Sequence, residues 1–89
     1  MGLKECFHAL SDETRREILR LLRGGSMTAG DIAGHFSMSA ATISHHLSVL
    51  REAELVADDK RGKYIYYELN TTVFEEMLLY LETFRGEKK

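Results

Sequence analysis

Between Thr28 and Leu50 the apolar residues fall into two short helical registers joined by the three-residue link "SMS". In the first, Thr28 with Asp31 three positions on resembles a capping box in which Asp replaces Glu, and Ile32, Ala33 and Phe36 supply about one and a half turns of apolar face. In the second, Ser39 is placed to cap, and Ile43, Leu47 and Leu50 recur at i, i+4 and i+7, so that they face inward. A short helix, a tight link and a longer helix with a polar outer side make a helix-turn-helix pattern.

The segments on either side extend this pattern. Leu3, Cys6, Phe7 and Leu10 fall on one side of a first helix, over about 3–10, that is too short to stand alone. Ser11, with Thr14 three residues on and Asp12 and Glu13 in the first turn, predicts the start of a second helix; Ile18, Leu19, Leu21 and Leu22 form its buried side until Gly24-Gly25. After Glu54 the period changes to that of a strand. "LVADD" and "YIYYEL" bracket "KRGK", whose Gly62 suits a turn needing positive φ, so residues 55–69 predict a two-stranded hairpin, or wing. Ile65, Tyr67 and Leu69 are expected on its packed side and Tyr64, Tyr66 and Glu68 on the other. Asn70 or Thr71 is placed to cap a last helix over about 71–85, with Val73, Phe74, Met77, Leu78, Leu81 and Phe84 on one side. Leu79 and Tyr80 widen that stripe beyond what one core contact requires, which points to a subunit interface formed with the first helix. The expected fold is therefore one mainly α domain over residues 1–89, with five helices and a small β-hairpin, its helix-turn-helix at about 28–53. At 89 residues an unaided core is near its lower size limit, which favours a dimer.

The helix "SAATISHHLSVL" contains no acid. Subtracting its inward positions leaves Ala41, Thr42, Ser44, His45 and Ser48 outside, while His46, three after Ile43, borders the core. Small side chains let a helix backbone approach a groove closely, and hydroxyls and an imidazole can bond base edges and phosphates, whereas an acid would be repelled. Ser, Thr and Ala also occur on plain solvated helices, but such a surface usually carries Lys/Glu pairs, and here no charge appears until Arg51. Lys60, Arg61 and Lys63, expected to project from the hairpin tip beside this helix, suit a phosphate clamp or a minor-groove contact, although "KRGK" alone is an ordinary charged turn. For His46 the ordinary expectation is a half-buried histidine hydrogen-bonded to a neighbour.

The net charge of −2, taken alone, argues against a polyanion partner. Its placement shows that it does not exclude one: residues 68–89 hold five acids (Glu68, Glu75, Glu76, Glu82, Glu87) against three bases (Arg85, Lys88, Lys89), and residues 1–67 balance nine of each. A local positive face can therefore sit on a neutral body. No apolar run approaches the roughly 20 residues of a membrane span, so no membrane insertion is expected. Residues 1–10 show no charged stretch followed by an apolar one, and with the lone Cys6 this makes the cytoplasm the expected location. Catalysis has no foothold: there is no phosphate-cradling glycine loop, no metal-ligand helix motif and no Gly-x-Ser-x-Gly elbow. Metal binding is poorly served, because Cys6 with His8, and His45 with His46, diverge on a helix; no cofactor is expected.

"ALSDETRREILRLL", "TAGDIAGHFSMSAATISHHLSVLREAELV" and "KRGKYIYYEL" together resemble the ArsR family of winged-helix transcriptional repressors, over roughly Phe7 to Leu69. Within it, "GGSMTAGDIAGHF", "ISHHL" and "YYELNTTVFEE" look most like the SdpR-type autorepressors. The resemblance implies a winged helix-turn-helix homodimer built on the first and last helices, which binds an inverted-repeat operator in double-stranded DNA. Carried over by position, Ser39, Thr42, Ser44 and His45 would contact DNA from the fourth helix, and Lys60, Arg61 and Lys63 from the wing. Leu3, Cys6, Phe7, Phe74, Met77, Leu78, Leu81 and Phe84 would line the dimer interface. Many relatives have proline where this chain has Glu13, a change that softens the second helix's start. Metal-sensing relatives carry paired cysteines on the third helix or an Asp/His/Glu set on the last; this chain has "AGDIAGHF" in the one and no histidine in the other, which favours a repressor without a metal inducer. The resemblance also allows release by a sequestering protein partner. Two other readings stay open: a protein-interaction module that has lost DNA binding, and a thiol or metal sensor acting through Cys6.

Overall fold

Asp12, Thr28 and Ser39 each start a helix by the same contact, a side-chain oxygen accepting the backbone N–H three residues on. The computed structural model describes residues 2–86. Met1 and the charged residues Glu87, Lys88 and Lys89, like the ends of the domain expected over 1–89, lie outside the described residues. Helix α1 (Leu3–Leu10) is followed by α2 (Glu13–Leu21) and a single 3-10 turn, Leu22–Gly24. The cap of α2 is Asp12, not Ser11 as the spacing predicts: its carboxylate accepts from Arg15 N at 3.0 Å, and Ser11 Oγ turns back to donate to His8 O and close α1. A carboxylate also answers the positive end of the helix dipole, which a hydroxyl does not.

Strand β1 (Met27–Thr28) leads straight into α3 (Ala29–Ala33), because Thr28 both ends the strand and caps the helix through Asp31 N, 3.0 Å. Phe36 falls beyond α3 in successive turns but still packs on the core. Helix α4 (Ala40–Glu52) starts at Ser39, whose Oγ accepts from Thr42 N at 3.1 Å. It ends in a paired closure in which Leu55 N–H donates to Leu50 O and Glu54 N–H to Arg51 O. Glu54 takes φ 65°, the left-handed conformation that glycine usually fills at this place, and so turns the chain into the sheet.

The wing has three strands where the sequence predicts two. Strands β2 (Val56–Arg61) and β3 (Tyr64–Leu69) pair antiparallel from Val56↔Leu69 to Arg61↔Tyr64, leaving Gly62 and Lys63 as the turn, with Gly62 at φ 62°. β1 adds to the other edge of β3 through Met27↔Tyr67 and Thr28↔Tyr66. Since Thr28 also caps α3, the sheet and the helix-turn-helix are fixed to each other through one residue.

The core lies where α1 to α4 and the root of the wing meet. Ile18, Ile32, Ile43, Leu47, Leu50 and Leu55 are its largest fully buried side chains, drawn from three helices and the link from α4 into β2. Burial of each contributes about 1.5–3 kcal/mol against the unfolded chain, as an upper figure. Helix α5 (Thr71–Glu82) commits only Val73 and Met77 fully to this core. The last apolar residue of its expected stripe, Phe84, lies past the helix end, which Thr83 Oγ1 closes by donating to Tyr80 O. The molecule is accordingly long, 54 × 25 × 21 Å. Among the described residues no helix is long and apolar enough to cross a membrane.

Candidate nucleic-acid interface

The two adjacent histidines of α4 point in different directions. Burying Ile43, Leu47 and Leu50 turns Ala41, Thr42, Ser44, His45 and Ser48 to the outside. Ser39 and Thr42 meet there: besides capping, Ser39 Oγ shares a hydrogen bond with Thr42 Oγ1 at 2.9 Å. A hydroxyl carries one donor and two acceptor positions, so both groups keep capacity for a ligand. The first turn of α4 holds no acid, the residue type that usually neutralises a helix N-terminus, so its positive potential stays available to an anion.

His46 faces inward and meets a group that sequence reasoning did not single out. Arg15 is only 6% exposed, and all three of its donating nitrogens are placed. Nε donates to Ala9 O at 2.8 Å, Nη2 to His8 O at 3.1 Å, and Nη1 to His46 Nδ1 at 3.1 Å. The other ring nitrogen, Nε2, stands 4.0 Å from Asp12 Oδ2. Burial lowers the pKa of His46, against the pull of Asp12 and with the help of Arg15. The signal for Arg15 was present in the sequence, since Arg15, Ile18, Leu19 and Leu22 share one helical stripe and a charge among three core residues must find partners inside.

On the wing the three expected bases separate. Only Lys63 lies in the turn; Lys60 and Arg61 belong to β2 and, as neighbours in a strand, point to opposite faces. Arg61 does not project from the tip as expected. It folds back, with Nε donating to Asp59 Oδ2 at 3.0 Å, Cζ 4.4 Å from the centroid of the Tyr66 ring and Nη2 reaching Ser26 Oγ at 3.5 Å. The register explains this, because Asp59 stands opposite Tyr66 and Arg61 lies two residues along the same face. Ile65, expected on the packed side, is exposed because the end of the hairpin extends past the core. An open groove of about 390 Å³ runs between α4 and the wing, lined by Thr28, Gly30, Ser44, Lys63, Tyr64 and Ile65 among others. The structure thus brings Ser44 and Lys63 to one groove.

The residues expected at a dimer interface divide in a similar way. Phe7, Leu78, Leu81 and Phe84 are exposed, and so is Leu79, at 70%. Leu3 and Phe74 are half-buried, while Cys6 and Met77 are buried within the single chain. Cys6 Sγ donates to Ala53 O at 3.5 Å, and its burial raises the thiol pKa. Among the described residues no three His, Cys, Asp or Glu side chains gather as a metal site would require.

Comparison with known proteins adds three kinds of finding. The model of the family described as bacterial regulatory protein, arsR family, matches residues 12–58. The chain is 51% identical over 82 residues to the transcriptional repressor SdpR of Bacillus subtilis (strain 168), covering 92% of this chain and 91% of that one. It is 41% identical over 69 residues to the arsenical resistance operon repressor of Staphylococcus aureus, covering 78% and 66%. Among solved structures, an ArsR-like transcriptional regulator from Rhodococcus sp. RHA1 matches with a TM-score of 0.84 at 34% identity, over 91% of this chain and 76% of that one.

Proposed function

The chain belongs to the arsR family of bacterial regulatory proteins, and from that premise we propose that it is a homodimeric, autoregulatory repressor that binds an inverted-repeat operator in the cytoplasm and needs no metal to be released from it. As a member of that family it is a winged helix-turn-helix DNA-binding transcription regulator and not an enzyme. The observation that carries the proposal is the outer face of α4. Thr42, Ser44, His45 and Ser48 stand exposed on a helix with no acid in its first turn, beside a groove that also holds Lys63.

In this reading α4 enters the major groove with Ser39 and Thr42 leading. Ser44 and His45 follow, and Lys60, Arg61 and Lys63 neutralise phosphate from the wing. The set of DNA-facing residues has few long side chains, so phosphate contacts, DNA shape and bridging water share the recognition. The exposed Phe7, Leu78, Leu79, Leu81 and Phe84 would be covered by a second copy, and two-fold symmetry then sets half-sites about 34 Å apart or a multiple of that. Release without metal is supported by the absence of cysteine from α3 and of histidine from α5, and by the buried position of Cys6. Selection of bound duplexes from a random pool tests the proposal. Enrichment of an inverted repeat with that spacing is the expected result, and an unenriched pool contradicts it.

A further inference from the structure

Helix α4 is held to α1 at two points. At its C-terminal end Cys6 Sγ reaches Ala53 O directly; in its middle the tie runs through Arg15, which bonds the last carbonyls of α1 with two nitrogens and His46 with a third. We propose that Arg15 and His46 are positioning residues for DNA binding, setting the angle of the reading helix against α1 and holding it only while the His46 imidazole is neutral. The inference rests on the DNA-binding reading given above.

The chemistry leaves one protonation state that works. A guanidinium has donors only and keeps its charge at every pH the fold survives, so His46 Nδ1 must accept and its proton must sit on Nε2. A proton added to Nδ1 would set one N–H against another and place two cations 3.1 Å apart in a largely buried site. The charged and titratable groups acting on the ring are Asp12 from the cap of α2, Arg15 from α2 itself and His45 from α4, whose ring centroid is 5.8 Å away; α1 supplies backbone carbonyls to Arg15. Asp12 offsets the cost of the charged ring only in part, its pull being outweighed by burial and Arg15. Its Oδ2 is 4.0 Å away and already accepts the Arg15 N–H that starts α2.

The consequence for recognition follows from position. His46 lies one turn after Thr42 and next to His45, so a shift of α4 at this point moves the outer face while the Cys6 to Ala53 contact still holds the far end. Because α1 is also expected at the subunit interface, the same contact sets how the two reading helices of a dimer are spaced. The sign of the pH effect is diagnostic. Protonating His46 would weaken binding towards acid, the reverse of what added positive charge near phosphate does by itself.

Two measurements on the full chain test this: affinity for the selected operator by anisotropy at constant salt between about pH 5.5 and 8, and amide-exchange protection of residues 40–52 in the free protein over the same range. In the wild type, affinity should fall by about tenfold for each unit below the imidazole pKa, with protection of α4 falling alongside and that of α5 unchanged. His46→Asn keeps an acceptor near Nδ1 but does not titrate, and should flatten both profiles. His46→Leu, which leaves a buried Arg15 donor unpaired, should weaken binding at every pH. Affinity that is flat or rises towards acid in the wild type, or an Asn variant that keeps the wild-type profile, overturns the proposal. If no duplex is bound at any pH, the DNA-binding reading fails, and the exchange measurement still decides whether His46 holds α4.

Discussion

Arg61 sits over the ring of Tyr66, its Cζ 4.4 Å from the centroid, while its Nε donates to Asp59 across 3.0 Å. The guanidinium proposed to meet phosphate is thus stored against a half-buried aromatic ring and one exposed acid, and contacts of this kind contribute about 0–1 kcal/mol each and are readily exchanged. Arg61→Ala should weaken binding to every duplex and reduce the slope of log affinity against log salt by about 0.9 for each phosphate that the side chain would have neutralised. Asp59→Ala removes the competing acid and should strengthen binding without regard to sequence. Thr42→Ala and His45→Ala should instead change which sequences are preferred. Equal losses on operator and random DNA for all of these variants would contradict this division of labour.

The exposed apolar side chains of α5 set up a test of assembly. Leu78 is 64% exposed and Leu81 47%, so charge placed there costs the single chain little. Leu78→Glu with Leu81→Glu should leave the helical circular dichroism intact, convert a dimer to a monomer in sedimentation, and lower operator affinity by about two orders of magnitude or more as bivalent binding is abolished. A double variant that sediments as the wild type does would show that the subunits meet elsewhere.

Acid should destabilise the fold in two steps. His46 has its pKa lowered in the folded chain by burial, so the unfolded chain binds the proton more readily; the stability this group contributes is complete above about pH 6.5 and declines as pH falls below that. Asp12 has its pKa lowered chiefly by the hydrogen bond from Arg15 N, so its contribution is complete above its ordinary value near 3.8 and is lost as pH falls further. Thermal melts from pH 8 to 3 should show both declines. His46→Asn should abolish the upper one and Asp12→Ala the lower; a single transition common to all three proteins would contradict the assignment.

Cys6 offers a test of the thiol-sensor reading. It is fully buried, its Sγ donates to Ala53 O, and burial raises its pKa, all of which keep it in the unreactive thiol form. A disulfide reagent should modify it at the rate of unfolding and leave DNA affinity unchanged on the native protein. Rapid modification that abolishes DNA binding would restore Cys6 as a sensor.

What could be read from the sequence was what depends on neighbours along the chain. Thr28 and Ser39 declare themselves as caps because the N–H each accepts lies three residues away, and Ile43, Leu47 and Leu50 by their spacing. The separation of His45 from His46 follows from the same spacing. Relations across the fold were not legible. Met27 and Thr28 are too few to show a strand's alternation, and only their pairing with Tyr67 and Tyr66 makes them β1. Arg61 folds back because Asp59 and Tyr66 face each other across the hairpin, which requires the register to be known. Cys6 and Met77 fit the expected interface stripes by period, yet the body of the same chain already covers them. Ser11 and Asp12 were both competent caps, and the choice between them turned on charge at a helix end.

The outer face of α4 is the surface proposed to read DNA. The most direct measurement is the fluorescence anisotropy of the purified protein on duplex from upstream of its own gene, against a random duplex, from ~50 to ~200 mM salt. The expected result is tight binding that weakens steeply with salt and prefers the upstream DNA, with the preference abolished in Thr42→Ala. Weak binding, equal for the two duplexes and unaffected by that substitution, would contradict it.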